Sequence, residues 1–124
     1  MTSPRKAAVE AYFEGFRRSE HAAILSLLTE DVRWDLPGFR HLEGKEAFDG
    51  EIENRDFEGS PELRIDRLIE EGESVVAIGE GIARPKAGPR FRFAYCDVFT
   101  FRGELIERVE SYLVPLGEEP GAGA

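Results

Sequence analysis

A carboxylate set among hydrocarbon is the first feature of this sequence that could do chemistry. In Phe91-Arg92-Phe93-Ala94-Tyr95-Cys96-Asp97-Val98-Phe99-Thr100-Phe101, rings recur at every second position and Asp97 takes the place of one of them. A strand sends alternate side chains to opposite faces, so Asp97 shares a face with Phe91, Phe93, Tyr95, Phe99 and Phe101. An isolated buried charge costs roughly several kcal/mol, so Asp97 must be neutralised, paired or put to use. Glu80 sits between Ile78 and Ile82 on its own face. Such surroundings raise a carboxyl pKa and suit general acid/base work. Glu110 shares its face with Ile106, Arg108 and Tyr112, a wall of mixed polarity.

Each group also has a structural reading, and both stand at this point. With Arg102-Gly103 as a two-residue turn, Asp97 lies across from Arg108 and Tyr95 across from Glu110. An Asp97–Arg108 ion pair would fix the sheet and keep Asp97 ionised, unfit as a proton donor. With Gly72-Glu73 as a turn, Arg67 lies opposite Ile78 and reaches Glu80 diagonally. His41, in the loop after Pro37-Gly38, is a proton shuttle near a cavity mouth or a solvated histidine. Cys96 points away from the rings and has no activating partner, so it is not a nucleophile.

The elements that must position these groups follow from pattern. Ser3-Pro4 starts a helix whose apolar face is Ala8, Val9, Tyr12, Phe13 and Phe16. Ser19 is expected to cap a second helix through Ala23, Ile24, Leu27 and Leu28. Val32 to Leu36 alternates and is stopped by Pro37-Gly38, a short strand that puts Trp34 and Leu36 on one wall. Gly44 to about Phe57 reads as a third helix, weakened by Gly50. From Leu63 the pattern is strand and tight turn. Leu63, Ile65, Arg67 and Ile69 share one face. Val76, Ile78, Glu80 and Ile82 share the inner face of the next strand, leaving Ala77, Gly79, Gly81 and Ala83 outside. The aromatic strand and Glu104 to Val114 complete four strands. Residues 1–116 form one domain, and 117–124 read as a disordered Gly/Pro/Glu tail.

Helices first and strands after predict an α+β fold. Three N-terminal helices pack on a curved, mainly antiparallel sheet, a cone-shaped barrel that encloses a cavity.

The bulk numbers set bounds. A chain of 124 residues is one domain with a real core. A net charge of -9 disfavours nucleic acid and anionic membrane as partners. One cysteine excludes an internal disulfide, and neither metal-ligand spacing nor a glycine-rich phosphate loop occurs, so no metal or cofactor is expected. No apolar run reaches the length of a membrane span or signal peptide, which makes the cytoplasm the expected compartment.

The order of elements, Thr29-Glu30-Asp31-Val32-Arg33-Trp34, Gly44-Lys45-Glu46-Ala47, Tyr95-Cys96-Asp97-Val98-Phe99 and Gly103-Glu104-Leu105-Ile106 carry a resemblance. From Ala7 to Pro115 the chain resembles the nuclear-transport-factor-2-like superfamily, most closely its SnoaL-like and ketosteroid-isomerase-like group. The resemblance implies helices and curved sheet around an apolar cavity, and dimerisation through the sheet. Its steroid isomerases hold an oxyanion with a helix tyrosine and a protonated strand aspartate, a carboxylic acid kept neutral by its apolar site. Tyr12 and Asp97 stand at those positions, but Leu36 stands where those enzymes carry their base. Aligned with the superfamily's epoxide hydrolases, Glu80 and Glu110 match the two carboxylates. Ile78 falls at the arginine position, with Arg67 as the substitute.

Two functions follow as expectations. The first is cofactor-independent isomerisation, cyclisation or hydrolysis of a hydrophobic small molecule by proton transfer, with Tyr12, Asp97, Glu80 and Glu110 as the catalytic set. Trp34, Leu36, His41 and Phe93 would contact the ligand, together with Tyr95, Phe99, Arg108 and Tyr112. The second is a non-catalytic ligand-binding or dimerisation module. The small strip Ala77, Gly79, Gly81 and Ala83, with Ala94, Cys96 and Val98, predicts a homodimer through the outer sheet face.

Overall fold

The computed structural model describes residues 3–53, 57–58 and 61–118. The chain runs α1 (Pro4–Arg18), α2 (His21–Leu25), β1 (Leu28–Leu36), β2 (Arg40–Glu43) and α3 (Lys45–Ile52). It continues with β3 (Glu62–Glu71), β4 (Ser74–Ala83), β5 (Phe91–Arg102) and β6 (Leu105–Glu118). One six-stranded sheet has the order β2-β1-β6-β5-β4-β3, antiparallel except where β1 and β6 run parallel. This is the expected α+β architecture, with the sheet curved and open. β2 and β3 are its two edges.

Helix α1 lies in the concave side of the sheet and buries Val9, Tyr12, Phe13 and Phe16 there. Ser3 caps it as expected, its hydroxyl accepting from the Lys6 amide at 3.1 Å. Arg5 then ties the helix to two hairpin turns. Its guanidinium donates to the carbonyls of Gly72 and Gly103, each at 3.0 Å, and stands 5.5 Å from the Phe101 ring centre.

Several local expectations need correction. Ser19 ends α1 rather than starting α2: it takes a left-handed φ of 52° and its amide bonds back to the Phe16 carbonyl. His41 lies in strand β2, not in a loop, because the Pro37-Gly38 turn folds the chain straight back onto β1. Helix α3 stops at Ile52. Strand β6 extends through Gly117 and Glu118, which pair with Arg92 and Phe91. The rest of the expected tail lies outside the described residues.

Two bulges decide which side chains face the core. In β3, Ile65 pairs with Gly79 and Arg67 with Ile78, so Asp66 is an extra residue. Leu63, Ile65 and Leu68 therefore pack on the core, while Arg67 and Ile69 turn outward. In β6, Ile106 pairs with Phe101 and Arg108 with Thr100, so Glu107 is extra. Beyond it Val109 and Ser111 are buried, and Arg108, Glu110 and Tyr112 turn to the convex face. A one-residue slip moves every later side chain across the sheet.

Strand β4 also presents the opposite face from the one expected. Val75, Ala77, Gly79, Gly81 and Ala83 are buried, and Val76, Ile78, Glu80 and Ile82 lie on the convex side. The rings of β5 demand this. A Cβ on Gly79 would stand 1.9 Å from the Arg64 carbonyl oxygen and 2.7 Å from the Tyr95 hydroxyl oxygen. A Cβ on Gly81 would stand 2.5 Å from Phe93 Cζ. The small strip makes room for this chain's own aromatic face, not for a second copy.

Candidate functional site

Strand β5 fulfils the pattern that singled it out. Phe93, Tyr95, Asp97, Phe99 and Phe101 are all buried on the concave side. Helix α1 crosses above them. Tyr12 meets Phe99 edge-on at 4.9 Å, and Phe13 lies 5.5 Å from Tyr95. From β1, Trp34 stacks on Phe48 of α3 at 4.6 Å. Between these rings the structure keeps a cavity of about 490 Å³. Tyr12, Phe16, Trp34, Leu36, Phe93, Tyr95 and Asp97 line it, with Ser111 and Leu113 from β6. At the mouth stand the exposed ring of Phe39 and the Arg40–Glu51 ion pair, 2.5 Å across, which joins β2 to α3. Arg84 adds a second cation to the lining.

Asp97 is 8% exposed and makes no ion pair among the described residues. Burial pushes its pKa up to about 7, and a hydrogen bond from the Ser111 hydroxyl offsets part of that rise. Its Oδ1 is buried and has no hydrogen-bond partner among the described residues. The expected Asp97–Arg108 pairing does not form. The hairpin turns at Gly103-Glu104, one residue later than expected, and the Glu107 bulge then sets Ser111 opposite Asp97. Tyr12 is 2% exposed, and burial together with the nearby Asp97 carboxylate holds its phenol far above the ordinary range. It is therefore a neutral donor at any working pH.

Tyr95 lines the same cavity but its hydroxyl is committed, donating to the Arg64 carbonyl at 2.8 Å through the gap that Gly79 leaves. Phe99 was expected to touch a ligand; it lies fully buried under Tyr12 and Phe13, and is core.

The other expected site residues belong to the convex face. Glu80 lies directly opposite Arg64 because of the Asp66 bulge, and Arg64 rather than Arg67 is its partner, at 3.7 Å. His41, Asp35, Arg108, Glu110 and Tyr112 form one chain of contacts across β2, β1 and β6. Asp35 takes hydrogen bonds from His41 and, at 2.7 Å, from Arg108 Nε. Glu110 sits 3.5 Å from Arg108 and accepts from the Tyr112 hydroxyl at 2.9 Å. Partial burial pushes the Asp35 pKa up, but the bonds from Arg108 and His41 outweigh it and the net shift is down. Hydrogen bonds to Glu43 and Asp35 raise the His41 pKa. Glu80, Glu110, His41, Arg108 and Tyr112 thus form no part of the cavity.

Ser111 is the polar cavity residue that sequence reading missed. It is 5% exposed, its Oγ accepts the Trp34 indole N–H at 3.0 Å, and it stands directly across the ladder from Asp97. Among the described residues no group of three or more His, Cys, Asp or Glu side chains is placed to hold a metal ion. No helix among them is long and apolar enough to cross a membrane.

A family model described as the SnoaL-like domain matches residues 9–109, and the chain belongs to that family, within the NTF2-like superfamily. No curated protein matches it. Among solved structures it is similar to TerC co-crystallised with polyporic acid, at 24% identity and a TM-score of 0.78, over 88% of this chain and 90% of that one. It is similar also to an LEH-like epoxide hydrolase of M. tuberculosis, at 21% identity and a TM-score of 0.77, over 90% and 84% of the two chains. An NTF2-like protein of unknown function from Burkholderia pseudomallei K96243 matches at 22% identity and a TM-score of 0.78, over 88% and 89%. These three likenesses are of fold.

Proposed function

We propose that this SnoaL-like protein takes a hydrophobic small molecule into its cavity and exchanges a proton with it through Asp97. The carrying observation is that the carboxyl of Asp97 is buried in the wall of an otherwise aromatic hollow, surroundings that push its pKa up to about 7. An acid whose pKa lies near the working pH can both give and take a proton efficiently. On a ligand with a carbonyl, the Asp97 carboxylate removes a proton from the adjacent carbon, and the electron pair of that C–H bond moves onto the carbonyl oxygen as an enolate. Tyr12, neutral and lining the same cavity, donates a hydrogen bond to that oxygen. Where the carbonyl is β,γ-unsaturated, the enolate is conjugated with the double bond, and returning the proton from Asp97 to its far carbon completes an isomerisation. Where the ligand has a second carbonyl, the enolate carbon attacks it, the C=O π pair moves to oxygen, and that alkoxide takes the proton back from Asp97 to complete a cyclisation. No cofactor enters either sequence. Hydrolysis loses support, because the two carboxylates aligned with that chemistry, Glu80 and Glu110, stand outside the cavity.

The second reading is a non-catalytic binder. It is favoured by Leu36, an apolar side chain on the cavity wall where the isomerase resemblance places a base, and by Glu51, the other carboxylate among the described lining residues, being held by Arg40. Native mass spectrometry of the purified protein identifies what it carries. NMR of that molecule in D2O then separates the readings. Carbon-bound deuterium appearing with the native protein and not with Asp97→Asn supports proton transfer; tight binding with no exchange supports the binder.

We also propose a homodimer through the convex face, on a revised patch. Val76 pairs with Val98, Ile78 with Cys96 and Ala94 with Val114, an apolar strip beside the charged chain of Asp35 and Arg108.

A further inference from the structure

We infer that Trp34 and Ser111 are positioning residues for Asp97, a two-step hydrogen-bond relay from indole to serine to carboxyl that fixes which way the carboxyl points. The inference rests on the reading of Asp97 as the cavity acid. It begins with the register. Asp97 and Ser111 are direct partners across β5 and β6, on the concave side, and both are nearly inaccessible to solvent. Trp34 comes to the same point from β1, the other neighbour of β6, two residues from Ser111's row and so on the same face: Trp34 pairs with Val109 and Asp35 with Glu110. Its indole N–H is a donor only, and it is spent on Ser111 Oγ at 3.0 Å.

The serine hydroxyl has a single proton. With an indole donor already on its oxygen, that proton is free for the acceptor across the ladder, Asp97. Asp97 Oδ1, buried and without a partner among the described residues, is an acceptor that calls for such a donor. An oxygen with no donor is most costly when charged, so the relay's one bond is what keeps the ionised form accessible at all. The packing keeps the relay in one arrangement, because the Trp34 ring is stacked on Phe48 and edge-on to Phe16.

Few other groups compete for control of Asp97. The titratable side chains facing it are Tyr12 from α1 and Tyr95 from its own strand, both held protonated. Strand β4 offers Ala77 as its partner, and β6 and β1 offer Ser111 and Trp34, none of which titrates. Among the described residues, the charged groups lining the rest of the cavity are Arg40, Glu51 and Arg84.

The experiment is a carboxyl 13C NMR titration of Asp97 in the intact chain, comparing native protein with Ser111→Ala, Ser111→Thr and Trp34→Phe. Ser111→Ala removes the proposed donor and should raise the midpoint by about one pH unit. Ser111→Thr keeps a hydroxyl and should stay near the native value. Trp34→Phe keeps the stacked ring but frees the serine proton, and should raise the midpoint by less than Ser111→Ala does. A Ser111→Ala midpoint equal to the native one overturns the relay, as does a Trp34→Phe midpoint unchanged in a folded protein. A native midpoint in the ordinary aspartate range would overturn the reading of Asp97 as cavity acid. The difference between native and Ser111→Ala would still decide the relay.

Discussion

Ser111 stands directly across the β5–β6 ladder from Asp97, with both side chains buried on the concave face of the sheet. A turn at Arg102-Gly103 would have put Arg108 in that row, and regular pairing from the actual Gly103-Glu104 turn would have put Glu110 there. The later turn and the single extra residue at Glu107 together place a hydroxyl instead. A cation there would hold Asp97 ionised; a serine leaves burial as the dominant influence. The chemistry proposed for the cavity depends on that exchange.

Asp97 should make the protein less stable as pH rises. Its folded pKa, about 7, lies above the value of an unfolded aspartate. Below about pH 4 both states are protonated and the group has no effect. Between that pH and the folded pKa the unfolded chain has lost its proton and the folded chain keeps it, so stability falls by about 1.4 kcal/mol per pH unit. The penalty, on the order of 4 kcal/mol, is complete at higher pH. Asp97→Asn removes this dependence and should be more stable than the native protein at pH 8, by on the order of 1–3 kcal/mol after the cost of a buried amide. Urea denaturation at acid and alkaline pH checks it; parallel pH dependences in the two proteins would contradict it.

Gly79 and Gly50 should respond oppositely to alanine. At Gly79 a Cβ collides with the Arg64 carbonyl, a backbone atom that cannot step aside, and with the Tyr95 hydroxyl that binds it. Gly79→Ala should cost about 2 kcal/mol or more and loosen β3 from β4. Gly50 lies within α3 with nothing inside 4 Å of its Cβ position. Gly50→Ala should stabilise by about 0.5–1 kcal/mol. Thermal unfolding of the two variants decides both.

Removing convex-face charge should leave the cavity alone. Glu80→Gln and Glu110→Gln should change the affinity for a neutral apolar probe by less than about twofold, since both side chains lie across the sheet from it. A change as large as that of Asp97→Asn in either variant would return these carboxylates to the site.

The convex face should instead set the oligomeric state. Light scattering at micromolar concentration should give the mass of a dimer for the native chain and of a monomer for Ile78→Glu, with probe binding intact in both. A native monomer removes the dimer proposal.

The fold was legible because its large periods are regular. The α1 stripe of Val9, Tyr12, Phe13 and Phe16 and the alternating rings of β5 each have one burial solution, so Tyr12, Asp97, Phe93 and Tyr95 landed where the pattern put them. What failed was parity. Ile106 and Val109 are three residues apart and both wholly buried, which a regular strand cannot arrange; Ile65 and Leu68, partly buried against the same core, repeat the spacing on β3. Those two spacings were the available signal for the bulges, and with them Ser111 would have been read inward and Glu110 outward. The face of β4 was misread for another reason. Hydrophobicity alone favours Val76, Ile78 and Ile82 as core, but the opposing rings of Phe93 and Tyr95 need the volume that Gly79 and Gly81 leave empty. Volume complementarity between neighbouring strands is not visible in either strand by itself.

The most direct test of Asp97 as a titrating acid within a ligand cavity is the pH dependence of binding N-phenyl-1-naphthylamine, a neutral apolar fluorophore. Filling the cavity strips remaining water from the carboxyl and so raises its pKa further. The native protein should bind the probe most tightly below neutral pH and lose affinity by about tenfold as pH rises through 7 and beyond, while Asp97→Asn binds with a flat profile. Identical profiles for the two proteins, or no binding to either, would contradict the account.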